Sequence, residues 1–138
     1  MTILHANAKL VKGLRIDVDN GRKHAICLDQ PTADLGTDMG PTALELCLMS
    51  DAGCYASIFM LTAKKMRIPI EDLEVNVEAV KSEEAGTITE QKYDIVIKAE
   101  APEDRVQRIH TLAKNCPVGR LFDKAGVKKT FKVTIEKP

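Results

Sequence analysis

The stretch ALELCLMSDAGCYASIFMLTA, residues 43–63, decides the fold. Leu46, Leu48, Met49, Ala52, Tyr55, Ile58, Phe59, Met60 and Leu61 leave it scarcely any polar face. An apolar run of this length predicts one long helix, from about Thr42 to Met66. Thr42 reads as its N-cap, with Glu45 three residues on, the spacing of a capping box. Lys64, Lys65 and Arg67 suit the negative end of the helix dipole, and Pro69 forbids continuation. Glu45 and Asp51 interrupt the run, and the uncharged part, Ala52 to Ala63, is too short to span a bilayer. It is therefore read as a buried central helix and not as a membrane segment. A helix apolar on nearly every face must be surrounded by protein. In a chain of 138 residues one sheet covers one side of it, so a second subunit is expected to cover the rest.

Short strands precede this helix. Ala8 and Leu10, then Leu14, Ile16 and Val18, alternate with polar residues; Asp19-Asn20-Gly21 signals a turn, and Ala25 to Leu28 is a further apolar run. Pro31 to Pro41 is a Gly- and Asp-rich loop. After the helix, Leu73, Val75, Val77 and Ala79 alternate, and so do Tyr93, Ile95, Ile97 and Ala99; Ser82 to Gly86 joins the two strands as a hairpin loop. A helix is predicted from about Pro102 to Lys114, with Pro at its first position and Val106, Ile109, Leu112 and Ala113 as its apolar face. A short helix follows from Pro117 to about Lys124 and stops at Gly126. Phe131, Val133 and Ile135 make a last strand. The order β-β-β-α-β-β-α-α-β is an α+β fold, read as a single domain over residues 1–138.

Composition narrows the partners. Twenty basic and twenty acidic residues balance to a formal net charge of zero, so no basic field is present to hold nucleic acid or an anionic membrane surface. Trp is absent and aromatics are scarce, which argues against base-stacking platforms. Met1 to Ala8 does not read as a signal peptide, and a cytoplasmic location is expected. Cys27, Cys47, Cys54 and Cys116 form no CxxC pair and are too few for a disulfide scaffold, so they are expected to be reduced.

Two of these cysteines invite chemistry. Cys54 follows Gly53 inside the helix, and a mid-helix Gly costs about 1 kcal/mol relative to Ala, which suggests close approach by a backbone or a substrate. A buried small hydrophobe is the plainer account of Cys54. Cys116 precedes Pro117 and so falls at a helix N-cap, where backbone N–H groups would stabilise a thiolate and lower its pKa. A thiol in a helix corner with no role is the alternative there. Cys27 and Cys47 are read as structural. Glu45 and Cys54 are nine residues apart, which sets them on opposite faces of one helix. Arg15, among apolar residues of an early strand, and Arg22, after the turn, are candidates for a charge-assisted contact to a thiolate. His5, His24 and His110 are isolated, so a zinc site with Cys54 and Cys116 has little support. No GxGxxG, Walker or GxSxG motif occurs.

Gly40-Pro41-Thr42-Ala43-Leu44-Glu45-Leu46, followed by Ala52-Gly53-Cys54, resembles the GPxPLELLL…GC signature of the osmotically inducible protein C / organic hydroperoxide resistance superfamily. Asn115-Cys116-Pro117-Val118 resembles its CPVS segment, with Gly119 where the family often has Ser. Strand order and the late helix pair match as well. The resemblance implies an intertwined homodimer, its active site at the subunit interface, that reduces organic hydroperoxides. It implies that Cys54 is the peroxidatic cysteine and Cys116 the resolving one, and that Glu45 with an arginine holds the thiolate ready. Counting back from Pro31 places that arginine near Gly13, so Arg15 is the nearest match. The glutamate is four residues after Pro41, as in the less characterised branch, and not directly after Pro as in the peroxidases.

The function expected is a thiol-dependent peroxidase acting on apolar organic hydroperoxides, with no bound cofactor and an external dithiol, such as a lipoylated protein, as reductant. A stress-related or apolar-ligand-binding protein of the same fold, with idle thiols, is the other expectation.

Overall fold

The computed structural model describes the whole chain, Met1 to Pro138. The backbone groups into two compact units, Met1–Cys47 and Leu48–Pro138.

In the first unit, β1 (Asn7–Lys12), β2 (Arg15–Asp19) and β3 (Ala25–Leu28) form an antiparallel sheet in that order. The alternation read in the sequence falls on these strands except at Leu14, which lies in the turn between β1 and β2. The Asp19-Asn20-Gly21 turn is closed by its own side chains: Asp19 Oδ1 accepts from Gly21 N–H at 2.9 Å, and Asn20 Oδ1 accepts from Arg22 N–H at 3.0 Å. After β3 the chain makes a 3-10 turn at Thr32–Asp34, which the loop reading of Pro31–Pro41 did not anticipate. Two glycines let this loop pass tightly against β3 and its extension. A Cβ on Gly36 would lie 2.0 Å from the Gln30 carbonyl oxygen, and one on Gly40 would lie 1.9 Å from that of Cys27. Gly40→Ala is therefore expected to destabilise the first unit by about 1–3 kcal/mol, the usual range for overpacking. Amide hydrogen exchange on β3 would read this as lost protection.

The central helix α1 (Ala43–Lys65) starts and stops within a residue of the sequence reading. The capping box forms in both directions: Glu45 N–H donates to Thr42 Oγ1 at 3.2 Å, and Thr42 N–H donates to Glu45 Oε1 at 3.0 Å. At its end Arg67 takes a left-handed backbone, φ 57°.

In the second unit, β4 (Asp72–Ser82), β5 (Thr87–Lys98) and β6 (Lys128–Glu136) form the other sheet. β4 and β5 are an antiparallel hairpin, whereas β6 lies parallel to β5. A parallel partner requires a crossover. It is made by α2 (Glu103–Ala113) and α3 (Pro117–Lys124). The core joins Tyr55, Phe59 and Ala63 of α1, Tyr93, Ile95 and Ile97 of β5, and Val106, Ile109 and Ala113 of α2. One expectation is corrected here. Leu112 is 48% exposed, and His110 takes the buried place on α2. Val106, Ile109, His110 and Ala113 follow the i, i+3, i+4, i+7 spacing of one face, from which Leu112 is turned away.

Within this chain α1 buries a stripe of every fourth residue, Asp51, Tyr55, Phe59 and Ala63. Met49, Met60 and Leu61, on its other sides, are 43–55% exposed. By length and composition α1 is able to cross a membrane, but its stripe is part of a protein core.

Candidate functional site

Cys54 and Cys116 are brought together. Cys54 is half-buried on α1, Cys116 is 3% exposed ahead of α3, and both are unbridged thiols, near enough for Cys54 to raise the pKa of Cys116. Cys116 is the N-cap of α3 with Pro117 at the first helical position, as the sequence predicts. Its acidity is the reverse of the expectation. The thiol is pushed up to about 11, first by burial, then by the neighbouring Cys54 sulfur and the Asp51 carboxylate; the Gly119 N–H pulls the other way without prevailing. An N-cap favours a thiolate in contact with solvent, but burial disfavours any anion, and here burial wins. Gly119 packs closely: a Cβ there would meet Cys116 Sγ at 3.2 Å and Lys114 O at 3.3 Å. The Ser common in the family at this position would therefore require its neighbours to give way.

Around the thiols lies a set of buried polar side chains that the sequence reading passed over. Asp51 is 1% exposed, and its Oδ2 accepts from Gln91 Nε2 at 3.0 Å and from the Tyr93 hydroxyl at 2.5 Å. The same hydroxyl lies 2.9 Å from Gln91 Oε1. Tyr93 stacks on Phe131 with ring centroids 4.3 Å apart. The Tyr55 hydroxyl lies 2.6 Å from His110 Nδ1. Burial raises the pKa of both tyrosines; Asp51 adds to the rise at Tyr93, and Cys116 adds to it at Tyr55. Burial, then Lys114, lowers that of His110. Asp51, Tyr55, Tyr93, Lys114, Cys116, Gly119 and Phe131 line a narrow cavity with no space for a water molecule. A signal for Asp51 was present: a carboxylate inside an apolar helix, three residues before Cys54 and so on its face. Gln91 likewise continues the inward alternation of Tyr93, Ile95 and Ile97.

Glu45 and Arg15 are found with local partners in the first unit. Glu45 closes the capping box with Thr42. Arg15 Nε donates to Thr37 Oγ1 at 3.1 Å and lies 3.9 Å from Asp29 Oδ2. Asp29, 1% exposed, organises the loop. Its carboxylate accepts from the Thr37 hydroxyl at 2.6 Å and from the Met39 and Gln30 N–H groups at 3.1 and 2.8 Å. These bonds, that of Thr37 foremost, outweigh burial and hold its pKa down from 3.8 to about 2. A depressed carboxylate stabilises the fold above its unfolded pKa and loses that contribution as pH falls through the folded one. Protection of the Thr37 and Met39 amides is therefore expected to decay between about pH 4 and pH 2. In Asp29→Asn it should be weaker at neutral pH and nearly flat across that window. No three His, Cys, Asp or Glu side chains converge as a metal site requires.

The sequence pattern of the OsmC-like proteins matches residues 36–132. The chain belongs to the OsmC-like family. No functionally curated protein matches it. Among solved structures, the OsmC-like protein of Mycoplasma pneumoniae superposes with a TM-score of 0.83 at 21% identity, over 98% of each chain. An organic hydroperoxide resistance protein from Legionella pneumophila gives 0.68 at 16% identity, over 99% of this chain and 98% of that one. One from Elizabethkingia anophelis gives 0.70 at 17% identity, over 100% and 98%. These likenesses bear out the α+β OsmC-like fold, from the three leading strands to the late helix pair.

Proposed function

We propose that this OsmC-like protein is a thiol-dependent peroxidase that reduces organic hydroperoxides. The observation that carries the reading is the nearness of two unbridged thiols, Cys54 half-buried and Cys116 buried. Cys54, the more exposed of the two thiols, is the nucleophile, and buried Cys116 resolves it. The Cys54 thiolate attacks the outer peroxide oxygen; the O–O bond breaks, an alcohol leaves after protonation, and Cys54 becomes a sulfenic acid. Cys116 then closes a disulfide with loss of water, and an external dithiol such as a lipoylated protein restores both thiols. Peroxide reaches Cys54 from its half-exposed side. Glu45 lies on the opposite helix face from the Cys54 of its own chain, so the thiolate-steadying role that the family resemblance implies for Glu45 and Arg15 would be exercised on Cys54 of the partner subunit. The active form is a cytoplasmic homodimer: the apolar side of α1 that bears Met49, Met60 and Leu61 suits a second subunit. The two hydroperoxide resistance proteins of the same fold are consistent with this chemistry.

The test is peroxide consumption with cumene hydroperoxide and dihydrolipoamide. Turnover, with two thiols lost per chain when the reductant is withheld, supports the peroxidase. Absence of turnover supports the second reading, an apolar-ligand-binding protein with idle thiols.

A further inference from the structure

We propose that the triangle of Asp51, Gln91 and Tyr93 is a proton acceptor for Cys116, taking its proton while the disulfide closes. This rests on the peroxidase reading and gives a task to a buried carboxylate that the reading leaves unused.

The argument is a count of protons. Three short contacts join the group: Gln91 Nε2 to Asp51 Oδ2 at 3.0 Å, Tyr93 hydroxyl to Asp51 Oδ2 at 2.5 Å, and Tyr93 hydroxyl to Gln91 Oε1 at 2.9 Å. Two protons serve these three contacts when Asp51 is a carboxylate, one from the amide and one from the phenol. Turning the Gln91 amide over does not change the count. One contact is always oxygen against oxygen with nothing between. A proton added to Asp51 completes the ring: Asp51 donates to Tyr93, Tyr93 to Gln91, and Gln91 to Asp51. Each member then gives one hydrogen bond and accepts one, and such closed rings are mutually reinforcing. The triangle is thus one proton short, and it is buried: Asp51 and Gln91 are each 1% exposed and Tyr93 is 4% exposed.

The donor is at hand. Asp51 and Tyr93 line the same cavity as Cys116, and that cavity has no space for water. Cys116 has its proton held on by burial and by the negative charge of Asp51 itself. In the step proposed, Cys116 sulfur bonds to Cys54 sulfur as the S–O bond of the sulfenic acid breaks. The Cys116 proton passes to Asp51 and then to the departing hydroxide, which leaves as water. The oxidant is the organic hydroperoxide already consumed, and no other reactant is needed. Tyr55 of α1, His110 and Lys114 at the end of α2, Asp123 of α3 and Lys129 of β6 also face this corner. Tyr55 is bonded to His110, and Lys129 is paired with Asp123 at 2.9 Å and donates to the Gly119 carbonyl at 2.8 Å.

The experiment follows a single turnover with cumene hydroperoxide, trapping sulfenic acid with dimedone to obtain the rate of disulfide closure separately from that of oxidation. In the wild type the closure rate is expected to change little between pH 6.5 and 8.5, because the proton goes to an internal group. In Asp51→Asn closure is expected to slow about a hundredfold at pH 7, within the range of general-base effects. It is also expected to rise about tenfold per pH unit, as attack by free thiolate requires. Tyr93→Phe keeps the ring stacked on Phe131 and should slow closure about tenfold; it decides the matter if Asp51→Asn does not fold. Sulfenic acid that closes in these variants at the wild-type rate and with the wild-type pH profile overturns the inference alone. A wild type that forms no sulfenic acid overturns the peroxidase reading and this inference with it.

Discussion

Cys54→Ser is expected to abolish hydroperoxide turnover, with a loss of at least about a thousandfold. A serine hydroxyl in the same place is almost wholly protonated at neutral pH and forms no sulfenic acid. Cys116→Ser should behave differently. It retains one rapid equivalent of peroxide consumption, because Cys54 still oxidises, and then stalls with Cys54 as sulfenic acid or bonded to added thiol. A burst of one equivalent in Cys116→Ser, set against none in Cys54→Ser, assigns the two roles. Equal bursts in both would overturn the assignment. Mass spectrometry of the stalled protein provides the check, since sulfenic acid on Cys54 reacts with dimedone.

Phe59→Ala is expected to carry the largest stability effect, about 3–5 kcal/mol. Phe59 is wholly buried in the core of the second unit and stacks against Tyr55 with centroids 6.0 Å apart. Truncation removes its burial and leaves a cavity that α1 and β5, fixed by their own hydrogen bonds, cannot collapse to fill. Thermal melting should fall by roughly 10 °C or more. Its neighbour Met60, 43% exposed, provides the comparison. In a monomer, Met60→Ala should stay within about 0.5 kcal/mol. In the proposed dimer it should lower the melting temperature in a concentration-dependent way, because the subunit interface stabilises by mass action. A concentration-independent melt, unchanged by Met60→Ala, would count against the dimer.

The elements were legible because their signals are local. Thr42 and Glu45 mark the start of α1, Pro117 that of α3 and Gly126 the turn after it; Gly126 is left-handed, φ 79°. What escaped the sequence depends on contacts between distant segments. The parallel pairing of β5 with β6 is set by the α2–α3 crossover, which period-two alternation does not encode. Cys116 was correctly placed at an N-cap, but its acidity follows from burial against residues up to 65 positions earlier, such as Asp51 (116 − 51). Asp51 and Gln91, 40 positions apart, look like interruptions of apolar patterns until Tyr93 joins them. His110 took the core place assigned to Leu112 because the Tyr55 hydroxyl gives its ring nitrogen a partner there.

The nearness of Cys54 and Cys116 also has a mechanical meaning. Cys54 and Cys116 are 62 positions apart (116 − 54), on either side of the β4–β5 hairpin and α2. A bond between them would tie that whole span into a ring. Removing loop freedom of that size from the unfolded chain stabilises by about 4 kcal/mol. A catalytic cycle run through this pair would alternate between a tied and an untied polypeptide. The reduced form would open more readily to proteases, and each oxidation would tighten the same unit that performs the chemistry.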